Sequence, residues 1–214
     1  MGRLRHVNTG PGRTLALVTD LDLVADWDDL VKRVHAAVRG GVDLVQVRAK
    51  QLSTNEVADL TARLIDTVQH SAQVVVNGDP AAAVLAGADG LHLPENGMSV
   101  EKARQNLKYD AVIGKSVHST DAAVAAESDG ADYVFFGTVF PSRSHPGGAT
   151  SGLAGVEEAA SSVSIPVIAI GGITSQNCRS VIDAGAGGVG VISAIIGAYD
   201  SYRAARELKR ALAS

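Results

Sequence analysis

"IPVIAIGGIT", Ile165 to Thr174, decides the fold. It is a short apolar run, rich in Val and Ile, that ends on a glycine pair and leads into a helix-like segment. The run is continuous rather than alternating. A strand buried on both faces reads this way, as in a parallel sheet covered by helices. Working outward, seven more runs have the same character: "LALVT" (15–19), "VDLVQV" (42–47), "QVVVN" (73–77), "DGLHL" (89–93), "AVIGKS" (111–116), "DYVFFG" (132–137) and "GVGVIS" (188–193). Amphipathic segments lie between them. "WDDLVKRVHAAVRGG" puts Leu30, Val31, Val34 and Val38 on one face and ends in two glycines. "STNEVADLTARLIDTV" opens with a Ser-x-x-Glu capping box, Ser53 to Glu56. "GGVD", "AGADG", "DGADY" and "AGAGG" recur at helix ends just before strands, where glycine supplies a left-handed cap.

Strand and helix alternate eight times. That pattern predicts an α/β fold, a single (β/α)8 TIM barrel over 14–214, near the ~200-residue lower limit of the class. A doubly wound open sheet would leave two or three runs unassigned. Residues 1–13, with three arginines and no apolar run after them, read as a flexible N-terminal arm and not a secretory signal.

Composition narrows the function. The net charge of −4 and the lack of a long basic stretch give no footing for nucleic acid. No apolar run approaches the ~20 residues of a membrane span. One cysteine, Cys178, excludes an internal disulfide, sits in a helix-like stretch and fits a cytoplasmic protein. Small apolar residues on several helix faces permit a homodimer.

A barrel of this kind builds its site at the C-terminal ends of its strands. The candidates there are Thr19 and Asp20, then Gln46, Arg48 and Lys50, then Asn77, Gly78 and Asp79. Further round come His92 and Glu95, Ser116 and His118, and Thr138 with the loop holding Ser142, Ser144 and His145. Strands seven and eight end at Gly171, Gly172, Ile192 and Ser193. Free N–H groups there, with glycines allowing close approach, predict a phosphate cradle. Gln46, Arg48 and Lys50 alternate, so an extended chain points all three one way, and two cations at a barrel mouth predict a bound anion. His118 just past strand five is placed as an acid–base group. His92, inside a strand pattern, reads as packed or hydrogen-bonded. No His/Cys/Asp cluster has metal-ligand spacing, so the metal expectation is none.

The pieces "LVTD", "GGVDLVQVRAK", "VVVNGD", "AGADGLHLPEN", "IGKSVHS", "GADYVFFGTVFPS", "IPVIAIGGIT" and "GVGVISAI" resemble, in order and spacing, the thiamine phosphate synthase/TenI superfamily from about Leu15 to Leu212. The resemblance implies a (β/α)8 barrel acting on thiazole phosphates of thiamin biosynthesis, with phosphate at Gly171, Gly172 and Ser193. Synthases of this superfamily use Mg²⁺ and carry an aspartate after strand three and another after strand four. This chain has Gly78 and Gly97 at those places. Mg²⁺ wants one or two carboxylates plus substrate phosphates. Ser142 and Ser144 stand where synthases have threonines, and His145 where they usually have lysine.

These departures resemble the TenI branch and carry the expectation of a thiazole tautomerase, an isomerase that aromatises a thiazole phosphate carboxylate by a proton shift without cofactor or metal. In that reading His118 moves the proton, Arg48 and Lys50 hold the carboxylate, and Gln46, Asn77, Ser116, Thr138, Ser142 and Ser144 line the substrate. The alternatives are a thiamine phosphate synthase with Mg²⁺ rearranged onto Asp79 or Glu95, and a non-catalytic thiazole- or thiamin phosphate-binding regulator.

Overall fold

The computed structural model describes residues 13–107, 110–142 and 147–213. The expected arm lies outside them, save Arg13, as do Ser144 and His145. Eight parallel strands close into a barrel in sequence order. They are β1 Thr14–Val18, β2 Leu44–Val47, β3 Gln73–Asn77, β4 Gly90–Leu93, β5 Val112–Val117, β6 Tyr133–Phe136, β7 Val167–Ile170 and β8 Gly188–Val191. β8 pairs back onto β1. The helices are α1 Trp27–Arg39, α2 Thr54–Val68, α3 Pro80–Ala86, α4 Val100–Asn106, α5 Thr120–Ser128, α6 Gly152–Ser162, α7 Cys178–Asp183, the short α8 Ser193–Ile196 and α9 Ser201–Ala213. The fold is the single (β/α)8 barrel that the alternation predicts, with one added turn of helix after β8.

Local chemistry explains each unit. The stretch after β3 is compact: Asp79 caps α3 by accepting Ala82 N–H at 2.9 Å, Pro80 takes the first turn, and Gly87 ends it at φ +67°. The Ser53–Glu56 capping box is present at the start of α2. Leu30, Val34 and Val38 are buried under α1 as the periodicity requires.

The repeated "GGVD", "AGAD" and "DGAD" segments do more than supply glycine caps. Each aspartate reaches back to the preceding unit. Asp43 accepts Leu15 N–H, Asp89 accepts Val74 N–H and Asp132 accepts Ile113 N–H, at 2.8, 2.8 and 2.6 Å. Carboxylates therefore satisfy backbone donors at the N-terminal rim, where an unpaired buried N–H costs roughly 1–3 kcal/mol.

The core has two shells. The larger lies between strands and helices and includes Leu15, Leu30, Leu64, Leu91 and Leu93. The smaller fills the barrel lumen with Ala16, Val18, Leu44, Val75, Val112, Tyr133, Phe135 and Ile168. Period-two alternation separates the shells, because successive strand residues face opposite sides. Two aromatic rings fit in the lumen because small residues face them. A Cβ at Gly114 would stand 2.1 Å from Tyr133 Cζ.

Candidate active site

The lumen changes character toward the C-terminal ends of the strands. Above the apolar layer the inward side chains become Gln46, Asn77, His92 and Ser116. Over them opens a cavity of about 990 Å³. It is lined by Gln46, Arg48, Lys50, Asn77, Ser116 and His118 on one side, and by Thr138, Ser142, Gly171, Gly172, Ile192 and Ser193 on the other. These twelve candidates thus meet in one space, whereas Thr19, Asp20, Gly78, Asp79 and His92 do not line it.

At the β2 end, Gln46 is nearly buried and donates through Nε2 to Asn77 Oδ1 at 2.9 Å. Its Oε1 is buried without a hydrogen-bond partner among the described residues. The Arg48 backbone is pinned by the buried Thr19 hydroxyl, which accepts Arg48 N–H at 2.9 Å. The Arg48 guanidinium stands 3.9 Å from the Asp20 carboxylate, too far for a tight pair. A side hollow of about 340 Å³ brings Asp20, Arg48, Lys50 and Ser193 together. Both cations therefore face the space beside the β8 end.

At the β7 and β8 ends, the backbone N–H groups of Gly171, Gly172, Ser193 and Ala194 donate to no backbone oxygen of the described residues. Gly171 and Gly172 have φ +105° and +65°, a region that strains other residues. A Cβ at Gly172 would also press within 2.5 Å of Pro141 O. These glycines are thus required by the turn and by its packing against the loop after β6.

His118 is half-exposed at the mouth. Its Nδ1 hydrogen-bonds to Gly137 O. A carbonyl only accepts, so Nδ1 carries the proton, and Nε2 faces the Glu95 carboxylate at 3.6 Å. Lys115 donates to Pro94 O and Glu95 O, both at 2.9 Å, and so ties down the loop that carries Glu95. Partial burial holds the Lys115 amine below its ordinary value, against the pull of Glu95 and Asp129. Nothing in spacing or periodicity marks Lys115 as this tether.

His92 is fully buried between Tyr133 and Ser116. Burial, reinforced by the Lys115 charge, pushes its pKa down to about 3. The packed, hydrogen-bonded role expected of it holds. Cys178 is buried at the start of α7, and burial pushes its thiol up, which makes it a poor nucleophile.

The residues do not fit a carboxylate-held Mg²⁺. Gly78 and Gly97 offer no ligand. Asp79, one proposed substitute, is engaged elsewhere: it caps α3 and accepts the Thr54 hydroxyl at 2.8 Å. Glu95 faces His118. Among the described residues no group of three or more His, Cys, Asp or Glu could hold a metal ion.

Comparison with known proteins fixes the family. The family model described as thiamine monophosphate synthase matches residues 15–195. The chain belongs to the thiamine monophosphate synthase family. A thiamine-phosphate synthase from Thiobacillus denitrificans is 38% identical over 97% of this chain and 98% of its own length. One from Methanoculleus marisnigri is 41% identical over 91% and 96%. The solved thiamine phosphate pyrophosphorylase from Pyrococcus furiosus superposes with a TM-score of 0.86 at 33% identity, covering 99% of this chain and 98% of that one.

These findings correct the tautomerase and isomerase expectation: the relatives that span the whole barrel are named synthases. The physical reason lies in what carried that expectation. Gly78 sits at φ +77°, and a Cβ at Gly97 would stand 3.0 Å from Pro94 O. The positive φ gives a backbone reason for glycine at 78, and Gly97 packs close against Pro94, so the two glycines do not by themselves mark a changed reaction. No helix among the described residues is long and apolar enough to cross a membrane.

Proposed function

We propose that the chain is a transferase of the thiamine-phosphate synthase type, joining a hydroxymethylpyrimidine diphosphate to a thiazole phosphate. The observation that carries this reading is a single cavity that gathers two kinds of anion donor. It offers the backbone N–H groups of Gly171, Gly172 and Ser193, which donate to no backbone oxygen of the described residues, and beside the β8 end it offers Arg48 and Lys50. A reaction between two phosphorylated partners needs two such anion subsites in one space. The names of the relatives support the same reading.

In the reaction the C–O bond of the pyrimidine methylene breaks and its electron pair leaves with diphosphate. The thiazole nitrogen supplies the pair for the new C–N bond. Arg48 and Lys50 stabilise the charge that develops on the leaving group. Gly171, Gly172, Ile192 and Ser193 hold the thiazole phosphate and orient the nitrogen. The orphaned Gln46 Oε1 accepts an N–H of the ligand, with Asn77 fixing the amide. Ser116, Thr138 and Ser142 line the same cavity. His118 lines the cavity mouth with its Nε2 facing Glu95, and because the step moves no proton, the acid–base role expected of it has no part in this reading.

Because Gly78 and Gly97 leave no carboxylate pair, we propose that protein cations carry the diphosphate charge without a protein-held metal. The single cysteine supports a cytoplasmic setting.

The test is to incubate the purified protein with both substrates, with EDTA and separately with Mg²⁺, and measure thiamine phosphate and released diphosphate. Product in EDTA supports both parts. A rate that depends wholly on Mg²⁺ refutes the metal-free part. Absence of product in both conditions refutes the transferase and leaves a binding-only, regulatory role.

A further inference from the structure

Beneath the cavity floor, three side chains from adjacent strands form a chain of hydrogen bonds. Tyr133 Oη of β6 lies 3.0 Å from His92 Nδ1 of β4, and His92 Nε2 lies 2.8 Å from Ser116 Oγ of β5. Tyr133 and His92 are both fully buried. Ser116 is partly exposed and lines the cavity. Phe135 packs against both rings, with centroids 4.5 Å from His92 and 5.5 Å from Tyr133.

We propose that Tyr133, His92 and Ser116 form a one-way hydrogen-bond relay that makes the Ser116 hydroxyl a donor aimed at a ligand oxygen in the cavity. The direction follows from counting donors. A neutral imidazole has one N–H and one bare nitrogen. If Nδ1 is bare, Tyr133 O–H donates to it, Nε2–H donates to Ser116 Oγ, and the Ser116 proton is left for the cavity. Every buried donor then has an acceptor. If Nδ1 carries the proton instead, it donates to Tyr133 Oη, and the phenol proton has nowhere to go. Among the described residues, His92 is the one hydrogen-bond partner of the Tyr133 hydroxyl. An unpaired buried donor disfavours that arrangement by roughly ten- to a hundredfold.

The protonation states agree with this direction. Burial lowers the His92 pKa to about 3, so the ring is neutral at physiological pH. Burial, with the Asp132 charge, raises the Tyr133 phenol above its ordinary value, so it keeps its proton. Gly114 completes the arrangement: any Cβ there would occupy the place of the Tyr133 ring. Tyr133 and His92 are positioning residues, acting on the ligand through Ser116. On the transferase reading the oxygen that Ser116 meets belongs to the leaving diphosphate. That assignment rests on the proposed function, whereas the relay itself does not.

The test has two readouts. Long-range ¹⁵N NMR of histidine-labelled protein, with His92 assigned from a His92→Gln variant, reports which ring nitrogen is protonated. The expected result is a proton on Nε2 and a bare Nδ1; a proton on Nδ1 overturns the relay. The second readout is affinity for inorganic diphosphate. Tyr133→Phe and Ser116→Ala should each weaken it about three- to tenfold, the worth of one hydrogen bond. The double variant should lose no more than Ser116→Ala alone. Additive losses, or an unchanged affinity in a folded Tyr133→Phe variant, overturn the link from Tyr133 to the ligand. If wild type fails to bind diphosphate, the transferase reading falls, and the tautomer alone decides the relay.

Discussion

Acidification should unfold this protein in part through one residue, His92. Its pKa falls from 6.5 to about 3 because the ring is buried beneath the cavity. The folded value is below the unfolded one, so protons bind preferentially to the unfolded chain. The neutral-ring contribution is complete above pH 6.5 and is lost as pH falls from 6.5 toward 3. Over the whole window the loss is about 5 kcal/mol, and between pH 7.5 and 4.5 it is roughly 3 kcal/mol. That is a large share of the 5–15 kcal/mol typical of a domain. Carboxylates add acid sensitivity of their own: hydrogen bonds hold Asp28, Asp29 and Glu56 below their ordinary values. A His92→Gln variant isolates the histidine, since glutamine does not titrate. Urea unfolding of both proteins at pH 7.5 and 4.5 should show wild type losing roughly 3 kcal/mol more than the variant. A difference under about 1 kcal/mol, or an imidazole resonance that titrates near its ordinary pKa, would refute the reasoning.

Three other outcomes are expected. Gly114→Ala places a methyl 2.1 Å from Tyr133 Cζ, so overpacking should lower stability by roughly 1–3 kcal/mol in urea melts. Asp89→Ala orphans the Val74 N–H that it accepts at 2.8 Å and should cost roughly 1–3 kcal/mol, seen as a lower Tm. Arg48→Ala should leave stability within about 1 kcal/mol, because its nearest carboxylate is 3.9 Å away and both groups are partly solvated. Calorimetry should nonetheless show diphosphate affinity falling about tenfold or more, the worth of a charge-assisted contact; unchanged affinity would remove Arg48 from the anion subsite.

The barrel was legible in the sequence because strands buried on both faces leave continuous apolar runs, and "QVVVN" matches β3 residue for residue. Ends were less legible. "IPVIAIGG" extends past β7 at both sides, since apolar residues also line the turn that enters the site. The placement rule for strand ends brought Gln46, Arg48, Asn77, Ser116 and His118 into one cavity, as expected of a (β/α)8 barrel. The reaction was misread from Gly78 and Gly97, because a glycine in a sequence does not say whether it replaces a ligand or satisfies a backbone angle.

The sequence by itself determined the strand and helix alternation, the helix caps, the family and the list of polar groups at the barrel mouth. These depend on local periodicity and on spacing along the chain. The tertiary structure alone decided which of those groups meet. It turned the aspartates of "GGVD", "AGAD" and "DGAD" back onto earlier strands. It took Asp79 out of the site by pairing it with Thr54. It joined Tyr133, His92 and Ser116, which lie up to 41 residues apart. The physical reason is that a closed sheet sets neighbours by register across strands, and that register depends on barrel closure and lumen packing rather than on any one segment.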